Sequence, residues 1–87
     1  VPLPDARQRL QLWTVYLDQG HSLTPQHIQR LARLAEIAGG HIRAICETAL
    51  IIATQNARAV GFVDVVRAVQ LGYRGMGRTA PSLGEAG

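Results

Sequence analysis

The stretch that most constrains this chain is Gly39–Gln55, which reads GGHIRAICETALIIATQ. Two glycines are followed at once by an apolar-rich run that contains no helix breaker. Ile42, Ile45, Cys46, Ala49, Ile52 and Ala53 recur at spacings of three and four, so a helix places them on one face. Leu50 and Ile51 widen that stripe until the second half is apolar nearly all round. Such a helix is expected in the middle of a small bundle rather than on its surface. Its polar residues His41, Arg43 and Glu47 gather in the first turns. The expectation is a buried rod with a polar, glycine-hinged N-terminus, and that end is the first place to look for function.

The remaining chain supplies partners for this rod. Two prolines in Val1–Pro4 forbid helix there, so these residues read as a linker from an upstream domain. A first helix is expected over Asp5–Leu17, with Asp5 at the positive end of its dipole. Ala6, Leu10, Trp13 and Leu17 form its stripe, flanked by Leu12 and Tyr16, and Trp13 is the core anchor. Asp18–Leu23 is a polar connection containing Gly20. Thr24 as N-cap and Pro25 at the first helical position start a second helix, expected over 25–38. Ile28, Leu31, Ala32, Ala35 and Ala38 face inward, with Leu34 and Ile37 at the margins. Gly39 is expected to end this helix in the left-handed conformation. The third helix then starts within a residue or two and ends near Asn56. After a loop over 57–61, Phe62, Val65, Val66, Val69 and Tyr73 mark a fourth helix over 62–73. Frequent glycine from Gly72 onward, with Pro81, predicts a flexible tail over 75–87. The fold class is therefore all-α, a compact four-helix orthogonal bundle over 5–74 without internal repeats.

Composition removes whole classes of function. The chain has 87 residues, enough for one domain, and a net charge of +3 carried by nine basic residues, all arginine. Without lysine there is no phosphate-loop GK[ST], no Schiff-base lysine and no lysine general base, so a complete nucleotide hydrolase does not fit. One cysteine, Cys46, excludes an internal disulfide and a cysteine zinc cluster, and suggests a reducing, cytoplasmic setting. His21, His27, His41 and Cys46 match no zinc spacing, and no metal is expected. Glu47 and Asp64 fall on no common face as paired carboxylates, so these residues alone are not expected to form an enzyme. No apolar run approaches the roughly 20 residues that span a bilayer. The arginines are spread along the chain and not interleaved with exposed aromatics, which reads as a solvated surface rather than a nucleic-acid footprint.

GGHIRAICETALIIA resembles the segment after the second-sensor position in the C-terminal helical lid of AAA+ ATPases. There a glycine and a small residue, a polar residue and an aliphatic precede an alanine-rich helix with a Glu-Ala or Thr-Ala step. Gly39, Gly40, His41, Ile42, Glu47, Ala49 and Ala53 fall at those spacings. Arg9-Leu10-Gln11-Leu12-Trp13 is similar to the lid's first helix, and Leu31-Ala32 to a step in its second. Val60-Gly61-Phe62-Val63-Asp64-Val65 with Ala68 is similar to the start of its last helix. Tyr73-Arg74-Gly75-Met76-Gly77-Arg78 is similar to its aromatic, basic, glycine ending. The resemblance spans Pro4–Arg78.

The resemblance implies a lid that closes over ATP and magnesium held by a large ATPase domain of the same chain. That domain, with its phosphate loop and acidic magnesium-binding motif, is not within these residues. It also implies that hydrolysis moves the neighbouring subunits of a hexameric ring. Gly39, Gly40, His41 and Arg43 would form the nucleotide-binding corner. Many members carry an arginine in the second-sensor position; here that position falls on Gly40 or, one residue on, His41. The chain is more similar to members with glycine-alanine at this corner, which do without the arginine. Arg43 could substitute for it, face solvent, or pair with Glu47 four residues on. From the residues alone, a helix N-terminus behind two glycines lets backbone amides approach an anion; the plainer reading is a tight turn. Two other readings stand beside the lid. One is a helix-turn-helix-like nucleic-acid module from the second and third helices, against which Ile51 and Ile52 would be exposed. The other is a protein-interaction bundle.

Overall fold

The computed structural model describes residues 3–17 and 21–83; the start of the expected linker (1–2), the connection at 18–20 and the end of the expected tail (84–87) lie outside the described residues. Four helices follow in order: α1 (Ala6–Leu17), α2 (Pro25–Leu34), α3 (Gly39–Gln55) and α4 (Phe62–Gly75). Among the described residues there is no strand, only one isolated parallel bridge between His21 and Val60. The architecture is the expected all-α four-helix bundle. α3 packs on α4 along one side and on α1 along the other, and α1 also carries α2. Trp13, Leu31, Ile42, Val65 and Val69 are completely buried. Each contributes about 1.5–3 kcal/mol through the apolar surface it removes from water, Trp13 more.

Two helices start on reciprocal side-chain caps, and a third on one half of such a pair. At α1, Asp5 Oδ1 accepts from the Gln8 N–H at 2.8 Å and Gln8 Oε1 accepts from the Asp5 N–H at 2.9 Å. At α2, Thr24 Oγ1 accepts from the His27 N–H at 3.2 Å and His27 Nδ1 accepts from the Thr24 N–H at 3.3 Å, with Pro25 at the first helical position. At α4, Asp64 Oδ2 accepts from the Gly61 N–H at 2.9 Å; glycine has no side chain to return the bond. Each such cap stabilises a helix by about 1 kcal/mol.

α2 ends earlier than its alanine-rich sequence suggests. Helix stops at Leu34, and Ala35–Ala38 run outside any helix, with a bond from the Ile37 N–H to Ala35 O at 3.0 Å. Ala35 is 0% exposed and Ile37 2%, with exposed Glu36 between them. Burying two residues at a spacing of two needs a non-helical backbone, and that burial outweighs helix propensity. Gly39 is consequently not the left-handed end of α2; it is the first residue of α3.

α3 buries Ile42, Ile45, Cys46, Ala49 and Ala53 as its spacing requires, with Ile52 partly covered. Leu50 and Ile51, expected to complete an all-round apolar surface, are each 58% exposed. Two packed neighbours cover only part of the helix surface. α3 and α4 approach closely at Gly72, where an added Cβ would lie 2.9 Å from Ile45 Cγ1. Beyond α4, in the region expected as a tail, the chain folds back as far as Leu83. Leu83 is buried, and its carbonyl accepts from Arg30 Nη1 at 3.0 Å.

One charged residue lies inside the bundle without a carboxylate partner. Arg9 is 7% exposed; its Nε donates to Ala32 O and its Nη1 to Pro4 O, both at 2.7 Å. Ala32 belongs to the last turn of α2, where carbonyls lack intrahelical donors and the dipole favours a cation.

Candidate functional site

The early end of α2 sets the geometry at the start of α3. Ala38 is the N-cap, in extended conformation, and has no side-chain oxygen to offer. Its carbonyl accepts from the His41 and Ile42 N–H groups, each at 3.1 Å. The amides of Gly39 and Gly40 precede these and find no acceptor among the described residues. Gly40 and His41 are exposed. A Cβ added at Gly40 would meet nothing within 4 Å, whereas one at Gly39 would lie 3.3 Å from Leu12 Cδ1. The glycine corner is thus packed on α1 at its first residue and open at its second.

Gly39, Gly40 and His41 therefore stand together at one exposed helix end. Arg43 lies further along the first turns and pairs with Glu47 at 3.3 Å; the two side chains are 69% and 67% exposed. Of its three sequence-level alternatives, this is the placement observed. A pair so exposed, and with the arginine N-terminal to the glutamate, contributes a few tenths of a kcal/mol at most and does not fix Arg43 in place.

A groove of about 540 Å³ runs from this corner along α1, lined by Pro4, Gln8, Gln11, Leu12, Val15, Tyr16 and Gly39. It is a feature that the helical stripe of α1 did not reveal. The available signal was apolar residues off the stripe: Val15 is 66% exposed and Tyr16 36%. α1 thus carries one apolar face for the core and a second that opens beside the start of α3.

Other chemically capable residues have structural work. His27 caps α2 and stacks face to face on Phe62, with ring centroids 4.2 Å apart. His21 Nδ1 accepts from the Leu23 N–H at 3.1 Å. Cys46 is buried, and desolvation, then the charge of Glu47, push its thiol up to about 12, so it stays protonated and unreactive. The carboxylate of Asp64 is buried and paired with Arg58. That hydrogen-bonded pair holds it below the ordinary carboxylate range against the opposing effect of burial, helped by the Gly61 N–H. Among the described residues no three His, Cys, Asp or Glu side chains converge as a metal site. α2 packs on α1, and α3 packs on α4 and α1, rather than the two packing on each other, an arrangement that does not favour a helix-turn-helix pair. No described helix is long and apolar enough to cross a membrane.

Comparison of the chain with family models, with curated proteins and with solved structures gives no match.

Proposed function

We propose that this bundle is the C-terminal lid of an AAA+ ATPase, of the type with small residues at the second-sensor corner. The lid closes over ATP and magnesium held by a large ATPase domain outside these residues, and passes hydrolysis on to neighbouring subunits of a cytoplasmic ring. One observation carries the reading: among the four helices only α3 has no side-chain hydrogen bond of any kind to the backbone at its start, and it starts at two glycines, the second fully open. Uncapped amides at a helix N-terminus suit phosphate oxygens, both as donors and through the dipole. The groove along α1 beside Gly39 supplies an apolar surface on which a partner domain or a flat ring can rest. Catalysis itself, in this reading, belongs to the large domain. Arg43 is loosely held by Glu47 and can turn toward a phosphate when the lid closes.

The first test is the gene: a phosphate-loop lysine and an acidic magnesium motif are expected ahead of this segment, and their absence rejects the reading. The second is Gly40→Val in the full-length protein. Because the position is open, the bundle should melt as the parent does. Apparent ATP affinity should fall by roughly tenfold, about 1.4 kcal/mol, as the side chain intrudes on the phosphates. Unchanged ATP binding with an intact fold rejects a nucleotide role for this corner.

A further inference from the structure

α4 has an outward face that the bundle does not use. Val63, Arg67, Gln70, Leu71 and Arg74 lie within an arc of roughly 100° on a 3.6-residue helix, and all five are exposed. Val63 is 49% exposed and Leu71 44%. Asp64, the only acidic residue of the helix, is turned inward and bound to Arg58. Past the helix end, Gly77 at φ 70° turns the chain, so that Arg78 joins Arg74, Gln70 and Thr79 around one predominantly polar cleft of about 570 Å³. Arg78 is steadied there, its guanidinium 5.2 Å from the ring centroid of buried Tyr73. Among the described residues the ion pairs are Arg43 with Glu47 and Arg58 with Asp64, so Arg67, Arg74 and Arg78 belong to none.

We infer that this face docks an acidic protein surface, whose carboxylates seat on Arg74 and Arg78 and whose aliphatic side chains cover Val63 and Leu71. Guanidinium groups match carboxylates bidentately, and an arginine already stacked on a ring loses little freedom on binding. A second copy of the same face is disfavoured, because it would bring arginine against arginine. A phosphodiester backbone would use the arginines but leave the aliphatics in water, and no aromatic is exposed on this face to stack a base. Arginine mixed with exposed aliphatics fits a protein partner better. This inference does not depend on the nucleotide reading.

The experiment is a titration of the ¹⁵N-labelled chain with three probes: a synthetic helical peptide carrying Glu and Leu at four-residue spacings, the same peptide with Leu replaced by Ser, and a DNA duplex. Amide shifts are expected to move along 63–79. The Glu/Leu peptide should bind roughly tenfold more tightly than the Glu/Ser peptide, and more tightly than the duplex. The double substitution Arg74→Glu with Arg78→Glu should abolish binding of both peptides, and Leu71→Ser should weaken only the Glu/Leu peptide. All three positions are exposed, so thermal melts should show the fold retained. Shifts confined to another face, equal binding of the two peptides, tighter binding of the duplex, or no binding at all each overturn the proposal.

Discussion

α3 and α4 cross tightly at Gly72 and Ile45, yet they are secured in opposite ways. α4 is fixed at both ends. Asp64 holds the Gly61 amide and Arg58 at its start, and at its finish Gly77 takes the left-handed position while Arg78 N–H donates to Tyr73 O at 2.9 Å. α3 closes with the same bond pattern, Arg58 N–H to Ala53 O at 3.1 Å, but places Ala57 at φ 53°, where a Cβ is strained. It opens on Ala38, which cannot cap. What holds α3 is its middle, where Ile42, Ala49 and Ala53 are 0% exposed. A helix packed on two neighbours tolerates poor ends. Nothing in the structure explains alanine at Ala57, but the poor start at Ala38 leaves donors available for another molecule.

Breaking the α4 start should have the largest effect. Asp64→Ala removes a buried carboxylate, its bond to the Gly61 amide and the partner of exposed Arg58, and is expected to cost about 2 kcal/mol in urea denaturation. Asp64→Asn, which keeps an acceptor, should cost less. The same pair predicts an acid response. Because the folded carboxylate is held below its unfolded value, its contribution is complete above about pH 4 and is lost as the pH falls through the depressed value. Asp64→Asn should flatten that part of the stability curve.

The helix finishes offer a reciprocal exchange. Ala57→Gly should stabilise the chain by about 1 kcal/mol and Gly77→Ala should destabilise it by a similar amount, read from melting curves. If both changes lower stability, the strain assigned to Ala57 is absent. Next, Ala38→Asp gives α3 the cap it lacks and should add about 0.7 kcal/mol. Under the proposed lid function, the same carboxylate in the full-length protein should weaken ATP binding, so that stability and function move in opposite directions. The smallest expected effect is Gly40→Ala: a gain of about 0.5 kcal/mol, since the position is helical and open. A loss there would mean that the corner is more crowded than its geometry indicates.

The four helices and Thr24 as a cap were legible in the sequence, because each has a local cause, and the start of α3 was legible to within a residue or two, with Gly39 assigned to the wrong side of it. Where the reading departed, a tertiary cause won. Ala35–Ala38 has no breaker, and only the joint burial of Ala35 and Ile37 ends α2. Leu50 and Ile51 look like core until the number of packed neighbours is known. Arg9 reads as surface by residue type, although its spacing of four from Trp13 and eight from Leu17 puts it on their face. Asp64 carried a usable signal, an acid three residues after Gly61 at a helix start. Of the candidate corner, the glycines were visible in the chain; the groove along α1 was not, because it needs α1 and α3 to be brought together.

Arg9 also has a mechanical consequence. By gripping the Pro4 carbonyl on one side and Ala32 on the other, it clamps the entrance of the chain to the far end of α2. A pull applied ahead of Pro4 is therefore shared, through these two bonds, between the start of α1 and the last turn of α2.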